Sequence, residues 1–287
     1  MKMVANSHNP PSVKYRGRRL HINTIAAILL LCAVFVLSRT IDDEGLATNL
    51  GERNLAPSLH HPFGTDWLGR DMLVRTIKGL ALSLRVGLIA GASSVGIAGI
   101  LGLTASVTGK TINRIINWVT DLFLSVPHLV TLLLIAFVLG GGAKGIIIGV
   151  ALTHWPSLSR VIRAEVLQIK GAPYVAFSRN FGRSSWWIAT RHMVPHVLPQ
   201  MFVGLILLIP HAILHEASIT FLGMGLSPHE PAIGIILSES MRYLSSGLWW
   251  LAICPGICLL LLVRAFAKLG EDLKQWAILR PIGHQDE

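Results

Sequence analysis

Long apolar runs alternate with shorter polar segments along most of the chain. About 20 consecutive apolar residues cross a hydrocarbon core about 30 Å thick. Runs of this kind predict six membrane-spanning helices, at residues 20–38, 79–108, 115–139, 145–159, 197–214 and 247–263. The fourth run is the shortest. We therefore predict an all-α integral membrane protein whose six-helix transmembrane domain covers residues 20–270, without a second, soluble domain.

The first apolar run allows one alternative, because basic residues at 14–19 precede it in the order typical of a secretory signal peptide. No small-x-small cleavage site precedes Arg39, and the run is long enough to cross a bilayer. We predict an uncleaved first helix.

The composition agrees with a membrane protein. Hydrophobic residues make up 52% of the 287 positions and charged residues only 14%, against about 25% charged in an average soluble domain. The mean hydropathy is +0.58. These values exclude a disordered chain, a coiled coil and an ordinary cytosolic enzyme. The three cysteines, Cys32, Cys254 and Cys258, are too few for a disulfide framework.

The net charge of +10 follows the predicted topology. Residues 1–20, 109–114, 160–196 and 264–287 share one side and carry 17 Lys and Arg, whereas 39–78, 140–145 and 215–246 carry 7. By the positive-inside rule the first group is cytoplasmic. This predicts a multi-pass cell-membrane protein with cytoplasmic tails at 1–19 and 271–287, an external loop at 39–78 and a cytoplasmic loop at 160–196. The positive charge therefore indicates orientation, and we expect no nucleic-acid partner.

The predicted cytoplasmic loop contains PYVAFSRNFGRSSWWIATRHMVPHVLP, residues 173–199. Nine residues separate Gly182 from His-Met-Val-Pro at 192–195. This spacing resembles the EAA loop of permease subunits in binding-protein-dependent ABC importers. The usual Ala-Ala pair is Phe177-Ser178 here, and no acidic residue leads into Tyr174.

The resemblance implies that this loop folds as short cytoplasmic coupling helices that dock into a groove of an ATPase subunit. Gly182 would allow the turn between two helices, and an aromatic side chain (Tyr174, Trp186 or Trp187) would act as a docking knob. The coupling residues implied in this way are Tyr174, Val175, Ser178, Arg179, Gly182 and Pro195.

Other segments resemble the peptide/nickel class of these permeases, whose fold is that of type I ABC importers. Residues 61–71 are similar to the H-x-x-G-T-D-x-x-G-R-D signature of the external loop, and 218–225 to an S-F-L-G-x-G segment. Trp249-Trp250, Pro255-Gly256 and residues 269–273 match the last helix and its tail. The external-loop motif residues are Gly64, Thr65, Asp66, Gly69, Arg70 and Asp71.

The resemblance also implies an assembly. A second permease subunit would complete the pathway as a heterodimer in the membrane lipid, two ATPase subunits would use ATP and Mg²⁺, and an external solute-binding protein would deliver cargo. This chain would bind no cofactor and would not itself be an enzyme.

Two cargo classes remain open, nickel or another metal (free or chelated) and di- or oligopeptides. His211 and His215 lie four residues apart, on one face of the fifth predicted helix. Neutral imidazole suits Ni, Cu and Zn, and the pair resembles that of nickel permeases, as does His154. We therefore predict metal transport, with peptides as the alternative. The predicted pathway residues are His154, His211, His215 and Glu216, and the two histidines of the pair would contact the metal only transiently.

A different class of protein also has to be considered. A secondary transporter without ATPase partners should show inverted repeats and broken helices at the midplane, and we identify neither in the sequence. An intramembrane hydrolase would need a paired nucleophile and base within the spans.

Two charged residues, Arg85 and Asp121, lie early in predicted spans without an obvious partner.

Overall fold

The computed structural model describes residues 22–278, with side chains as far as residue 275. The predicted tail at 1–19 and the last part of the predicted tail at 271–287 lie outside the described residues. Between residues 22 and 278 the regular elements are helical, apart from an isolated bridge between Thr65 and Asp71. The α-helices are α1 (Ile22–Thr40), α2 (Met72–Val107), α3 (Lys110–Ser125), α4 (His128–Val138), α5 (Gly142–Lys170), α6 (Pro173–Asn180), α7 (Ser185–Ile188), α8 (Val194–Phe221), α9 (Ile233–Met241) and α10 (Trp250–Ile278).

The long helices account for the predicted spans. Within the described residues, five helical stretches are long and apolar enough to cross a membrane, and α3 with α4 makes a sixth if the two count as one span. The five contain α1, α2, α5, α8 and α10. This confirms the all-α membrane fold.

The third span, predicted as one helix over residues 115–139, is broken. The axes of α3 and α4 differ by 97° across Val126 and Pro127. Val126 is extended, with φ −94° and ψ 140°, because the ring of a following proline disfavours helical backbone there. Pro127 also lacks the N–H that would continue the helix. The expectation of a single straight span was therefore wrong.

The helix ends also differ from the apolar runs. Helix α5 continues to Lys170 and has 29 residues, so the predicted fourth span, 145–159, was far too short. The segment predicted to be external, which we call the external segment, covers 41–71 instead of 39–78, because α1 ends at Thr40 and α2 begins at Met72. Helix α10 reaches Ile278 and so includes part of the predicted tail.

Charged side chains in the part of α5 beyond its apolar run contact α3. Arg160 Nη2 lies 2.5 Å from Asp121 Oδ1, and Arg163 donates to the amide oxygen of Asn117. Asp121 thus has a partner that the sequence did not reveal. Arg85 is exposed on α2 and forms no ion pair among the described side chains.

Small residues let α2 pack closely against its neighbours. A Cβ added at Gly102 would lie 2.9 Å from Ile162 Cγ2 on α5, and one added at Gly87 would lie 2.8 Å from Ile213 Cγ1 on α8. In a bilayer such backbone approach provides the van der Waals contact that drives helix association. Helix α2 therefore forms the centre of the subunit.

The two ends of α2 carry different parts of the molecule. The external segment is attached near its first turn, through Arg75. Near its last turn, the Lys170 ammonium donates to the carbonyl of Ser106 at 3.0 Å, just before the segment that contains α6 and α7. At about 1.5 Å per residue, Arg75 and Ser106 lie about 45 Å apart along the axis. This exceeds the thickness of a hydrocarbon core, so the two regions lie at opposite ends of the subunit.

Candidate functional site

The external motif is built around the carboxylate of Asp66. Asp66 Oδ2 accepts hydrogen bonds from Arg70 Nε at 2.7 Å and from Arg75 Nη1 at 2.6 Å. Arg75 Nη2 also donates to Glu239 Oε2 of α9 at 3.0 Å. Asp66 and Arg75 are only 3% and 2% exposed. The motif therefore ties the external segment to α2 and α9 through buried charges.

Two glycines of the motif allow the chain to turn within this segment. Gly64 and Gly69 have φ of +71° and +76°, values that side chains with a Cβ rarely adopt. A Cβ at Gly69 would also overlap the carbonyl of Asn49. Both positions require glycine because of backbone conformation and close packing.

Asp71 begins α2 as its N-cap. Its Oδ1 accepts hydrogen bonds from the backbone N–H groups of Leu73 and Val74, at 2.8 and 3.0 Å, which satisfies donors that have no partner within the helix. Its other oxygen lies 2.8 Å from His61 Nδ1. Thr65 Oγ1 accepts from a backbone N–H across the loop. The motif side chains thus make contacts that stabilise the fold of the external segment.

The segment resembling the EAA loop folds as two short helices, α6 and α7. Gly182 lies between them with φ of +75°, and the hydroxyl of Ser184 accepts from the N–H of Trp187 at 3.2 Å to cap α7. Val175 is buried in the core of this end of the subunit, whereas Arg179 is exposed. The docking of this segment onto an ATPase stays a prediction.

Large aromatic side chains project from these two helices into the surroundings. The exposed ones are Phe181 (83%), Trp186 (75%), Phe177 (64%) and Tyr174 (40%). Trp187 is half-buried beneath the guanidinium of Arg183, which lies 4.8 Å from its ring centroid. An exposed apolar patch of this kind is typical of a protein-binding surface. We call these four exposed residues the aromatic patch; the sequence pointed to Tyr174 and Trp186 but not to the two phenylalanines.

His192 connects the two short helices and was missed in the sequence. Its Nε2 lies 3.1 Å from Ser178 Oγ of α6. Its ring centroid is 5.4 Å from those of Tyr174 and Trp187. His192 comes just before Pro195, which lies in the first turn of α8. These contacts join α6 and α7 to the long helix that follows them.

Three histidines from three helices meet in the membrane-spanning region. His128 begins α4, His154 lies on α5 and His215 on α8. Their ring centroids are 4.3, 4.8 and 5.1 Å apart, and one nitrogen of each lies within 4.8 Å of the other two. All three side chains are half-buried. We call this group the histidine cluster.

The predicted pathway residues are only partly brought together. His154 and His215 belong to the histidine cluster, while His211 is exposed one turn earlier on α8. Glu216 is fully buried within the subunit, where its Oε1 accepts from the hydroxyl of Thr220 at 3.0 Å. His128 was not predicted as a site residue; its proximity follows from the break at Pro127, the one feature of the sequence that could have indicated it.

Comparisons with known proteins agree with this architecture. Residues 95–271 match the family described as binding-protein-dependent transport system inner membrane component. The chain is 32% identical over 279 residues to the dipeptide transport system permease protein DppC of Bacillus subtilis, covering 94% of this chain and 87% of that one. It is 31% identical to the oligopeptide permease OppC of the same organism, covering 87% of this chain and 81% of that one. It is 29% identical to the probable D,D-dipeptide permease DdpC of Escherichia coli, covering 90% of this chain and 87% of that one.

Two solved structures share the fold. A chain of the inward-facing MetNI methionine ABC transporter has a TM-score of 0.56 at 17% identity, covering 72% of this chain and 97% of that one. A chain of an amino acid ABC transporter has a TM-score of 0.54 at 15% identity, covering 70% and 94%. At this identity the likeness concerns the fold alone.

Proposed function

Since the chain belongs to the family of binding-protein-dependent transport system inner membrane components, we propose that it forms part of the pathway of an ATP-driven importer for di- or oligopeptides. It is a multi-pass permease subunit of the ABC importer class. One observation carries the proposal: an aromatic patch on two short helices lies at the opposite end of α2 from the external segment, in a chain similar over 94% of its length to a dipeptide permease.

The cargo is assigned by similarity, because the relatives reported above are named for dipeptides, oligopeptides or D,D-dipeptides. None of these three is named for a metal. The prediction of nickel as the principal cargo therefore finds no support in them, and the peptide alternative is the better one.

ATPase subunits are the proposed partners of the aromatic patch. Phe177, Phe181 and Trp186 expose apolar surface that water does not favour, and a groove on a partner would bury it. Gly182 and His192 would keep the two helices in a fixed arrangement, so that movement of the ATPases is passed to α5 and α8. ATP and Mg²⁺ would be used by those partners, and this chain would carry out no covalent chemistry.

A second permease subunit and lipid would cover the apolar faces of the bundle. Large apolar side chains are exposed along α1 and α4, among them Leu29, Phe35, Leu134, Phe137 and Val138. Within a bilayer such faces contact lipid or another helix. We propose a heterodimer of two related permeases, which would close the pathway between them.

The proposed orientation places the coupling helices and both termini in the cytoplasm of a cell-membrane protein. The external segment and α9 would then face the solute-binding protein. The positive-inside bias supports this orientation, and so does the separation of the two regions along α2.

Reconstitution tests the proposed function. Proteoliposomes would contain this chain, its partner permease and the ATPases, with the binding protein added outside and a labelled dipeptide as cargo. We expect accumulation of dipeptide that requires ATP and all subunits. Uptake that persists without the ATPases would indicate a secondary transporter. Uptake of Ni²⁺ without any uptake of dipeptides would contradict the assigned cargo.

A further inference from the structure

The three rings of the histidine cluster lie close enough together to bind a metal ion, although the relatives of this chain are named for peptide transport. We infer that His128, His154 and His215 form a binding site for a divalent first-row transition-metal cation such as Ni²⁺, Cu²⁺ or Zn²⁺. Imidazole nitrogen is a preferred ligand of these ions, and the three rings come from three helices that converge at one point. The inference goes beyond the proposed function, because binding of the ion does not require peptide transport.

The distances suit a metal ion after a small adjustment of the side chains. Three nitrogens that lie within 4.8 Å of one another surround a central point at no more than about 2.8 Å, whereas a Zn–N bond measures about 2.0–2.1 Å. Each ring must therefore move inward by less than about 1 Å. Rotation of a histidine side chain supplies such a shift without a change in the helices.

Two of the rings have a nitrogen that is available to a metal. His154 Nδ1 lies 3.1 Å from the backbone carbonyl of Val150; as the donor of that bond it leaves Nε2 with a free lone pair. A hydrogen bond of this kind to the second nitrogen is typical of metal-bound histidine and fixes the ring orientation. His128 Nε2 is buried and has no hydrogen-bond partner. A buried nitrogen without a partner is unfavourable, and a cation would satisfy it.

A purely structural cluster explains these observations less well. Within the described part of the chain, none of the three rings hydrogen-bonds to another, although all lie close together. Aromatic contact alone does not account for the unpartnered nitrogen of His128. The break at Pro127 places His128 at the first position of α4, so the interruption of the third span directly builds the site.

One coordination position remains for water or a cargo atom. The three side chains are only half-buried, and a tetrahedral ion with three protein ligands keeps a fourth position open. His211 is exposed one turn earlier on α8 and lies outside the group of three. The site thus differs from the pair His211 and His215 that the sequence predicted.

Metal binding to the purified full-length chain tests the inference. The protein would carry a tag without histidine, and Co²⁺ and Ni²⁺ would serve as probes in equilibrium dialysis and visible absorption. We expect one ion per chain and the intense ligand-field bands of four-coordinate Co²⁺. His154→Gln or His215→Gln should weaken binding at least about tenfold, since each removes one of three ligands.

Two matched variants serve as controls. His211→Gln tests the adjacent imidazole, and His229→Gln alters an exposed histidine outside the cluster; both should bind Co²⁺ within about twofold of the unmodified chain. A folded unmodified chain without tetrahedral Co²⁺ bands would overturn the inference, and this result does not depend on how any variant folds. An equal loss in His211→Gln would instead favour the pair on α8. Because the readout is binding, a failure of peptide uptake would leave this result unaffected.

Discussion

Asp66 Oδ2 and Arg75 Nη1 lie 2.6 Å apart in a buried ion pair that joins the external segment to the first turn of α2. Arg75 also reaches Glu239 on α9, so one guanidinium connects the external segment, α2 and α9. Removing Asp66 from this network would leave the buried charge of Arg75 with Glu239 as its remaining carboxylate partner. The signature in residues 61–71 therefore stabilises the fold of this segment and its attachment to α2 and α9.

Asp66→Asn should destabilise the purified chain strongly. The substitution removes the negative charge that faces two arginines. Glu239 still compensates Arg75 in part, so the loss should lie near the lower end of the range of about 3–5 kcal/mol for a broken buried pair, seen as a lower thermal unfolding temperature. Asp42→Asn makes the same chemical change in the same segment, but Asp42 has no side-chain cap hydrogen bond; it should unfold at the temperature of the unmodified chain. Equal unfolding temperatures for both variants would argue against the buried network.

Gly79→Ala should destabilise the packing between α2 and the start of α9. A Cβ at this position would overlap the carbonyl of Pro231, and overpacking of a tight contact costs about 1–3 kcal/mol. Gly96→Ala is the control, because no atom lies within 4 Å of its added Cβ and alanine favours a helix by about 1 kcal/mol. The unfolding temperature should fall for the first variant and hold or rise for the second. The opposite order would show that α2 does not pack as described.

Gly182→Val should reduce ATP-dependent peptide uptake severely while the protein still inserts in the membrane. Valine at φ of +75° is strained by about 1–2 kcal/mol or more, so the turn between α6 and α7 should change. Gly247→Val carries similar strain at φ of +82° in a turn before α10, also with no atom near the added Cβ. It should retain much more uptake. If Gly182→Val transports normally, the turn has no part in coupling.

His192→Ala should weaken coupling with little effect on overall stability. It removes the contacts with Ser178, Tyr174 and Trp187, and a hydrogen bond of this kind contributes about 1 kcal/mol. We expect ATPase activity that no longer rises when cargo-loaded binding protein is added. His196→Ala, one turn further on, should behave normally, because among residues 22–275 His196 bonds only to the carbonyl of His192 in its own helical segment. If both variants lose the stimulation of ATPase activity by binding protein, His192 has no specific role in coupling.

The positions of five spans followed from the apolar runs, because hydropathy reports directly on burial in lipid; the sixth corresponds to the bent pair α3 and α4. The residues at which the helices end could not be predicted from the apolar runs, because a helix can continue through charged residues, as α5 does. Arg160 illustrates this: its charge ended the predicted fourth span, yet Asp121 of α3 lies beside it. The break at Pro127 depended on one residue, and hydropathy averaged over a window conceals it.

The site residues also fall into those that the sequence identified and those that only the structure revealed. Gly182 was identified through the resemblance of its segment to the EAA loop, and the structure places it in the turn between α6 and α7. His192 and His128 were missed because their partners are distant in sequence and only tertiary packing brings them together. Glu216 was chosen for its adjacency to His215, but successive residues of a helix point about 100° apart, and the structure buries it away from the histidine cluster.

The aromatic patch and the external motif are proposed to lie on opposite sides of the membrane. Single cysteines can test it, after Cys32, Cys254 and Cys258 are replaced by alanine. Leu59 in the external segment is 100% exposed and Phe181 in the patch is 83% exposed, so in cells that express the chain without its ATPase subunits both Leu59→Cys and Phe181→Cys should react readily where reagent is present. With a membrane-impermeant maleimide on intact cells, we predict labelling of Leu59→Cys at once and of Phe181→Cys only after permeabilisation. Labelling of Phe181→Cys in intact cells would contradict the account.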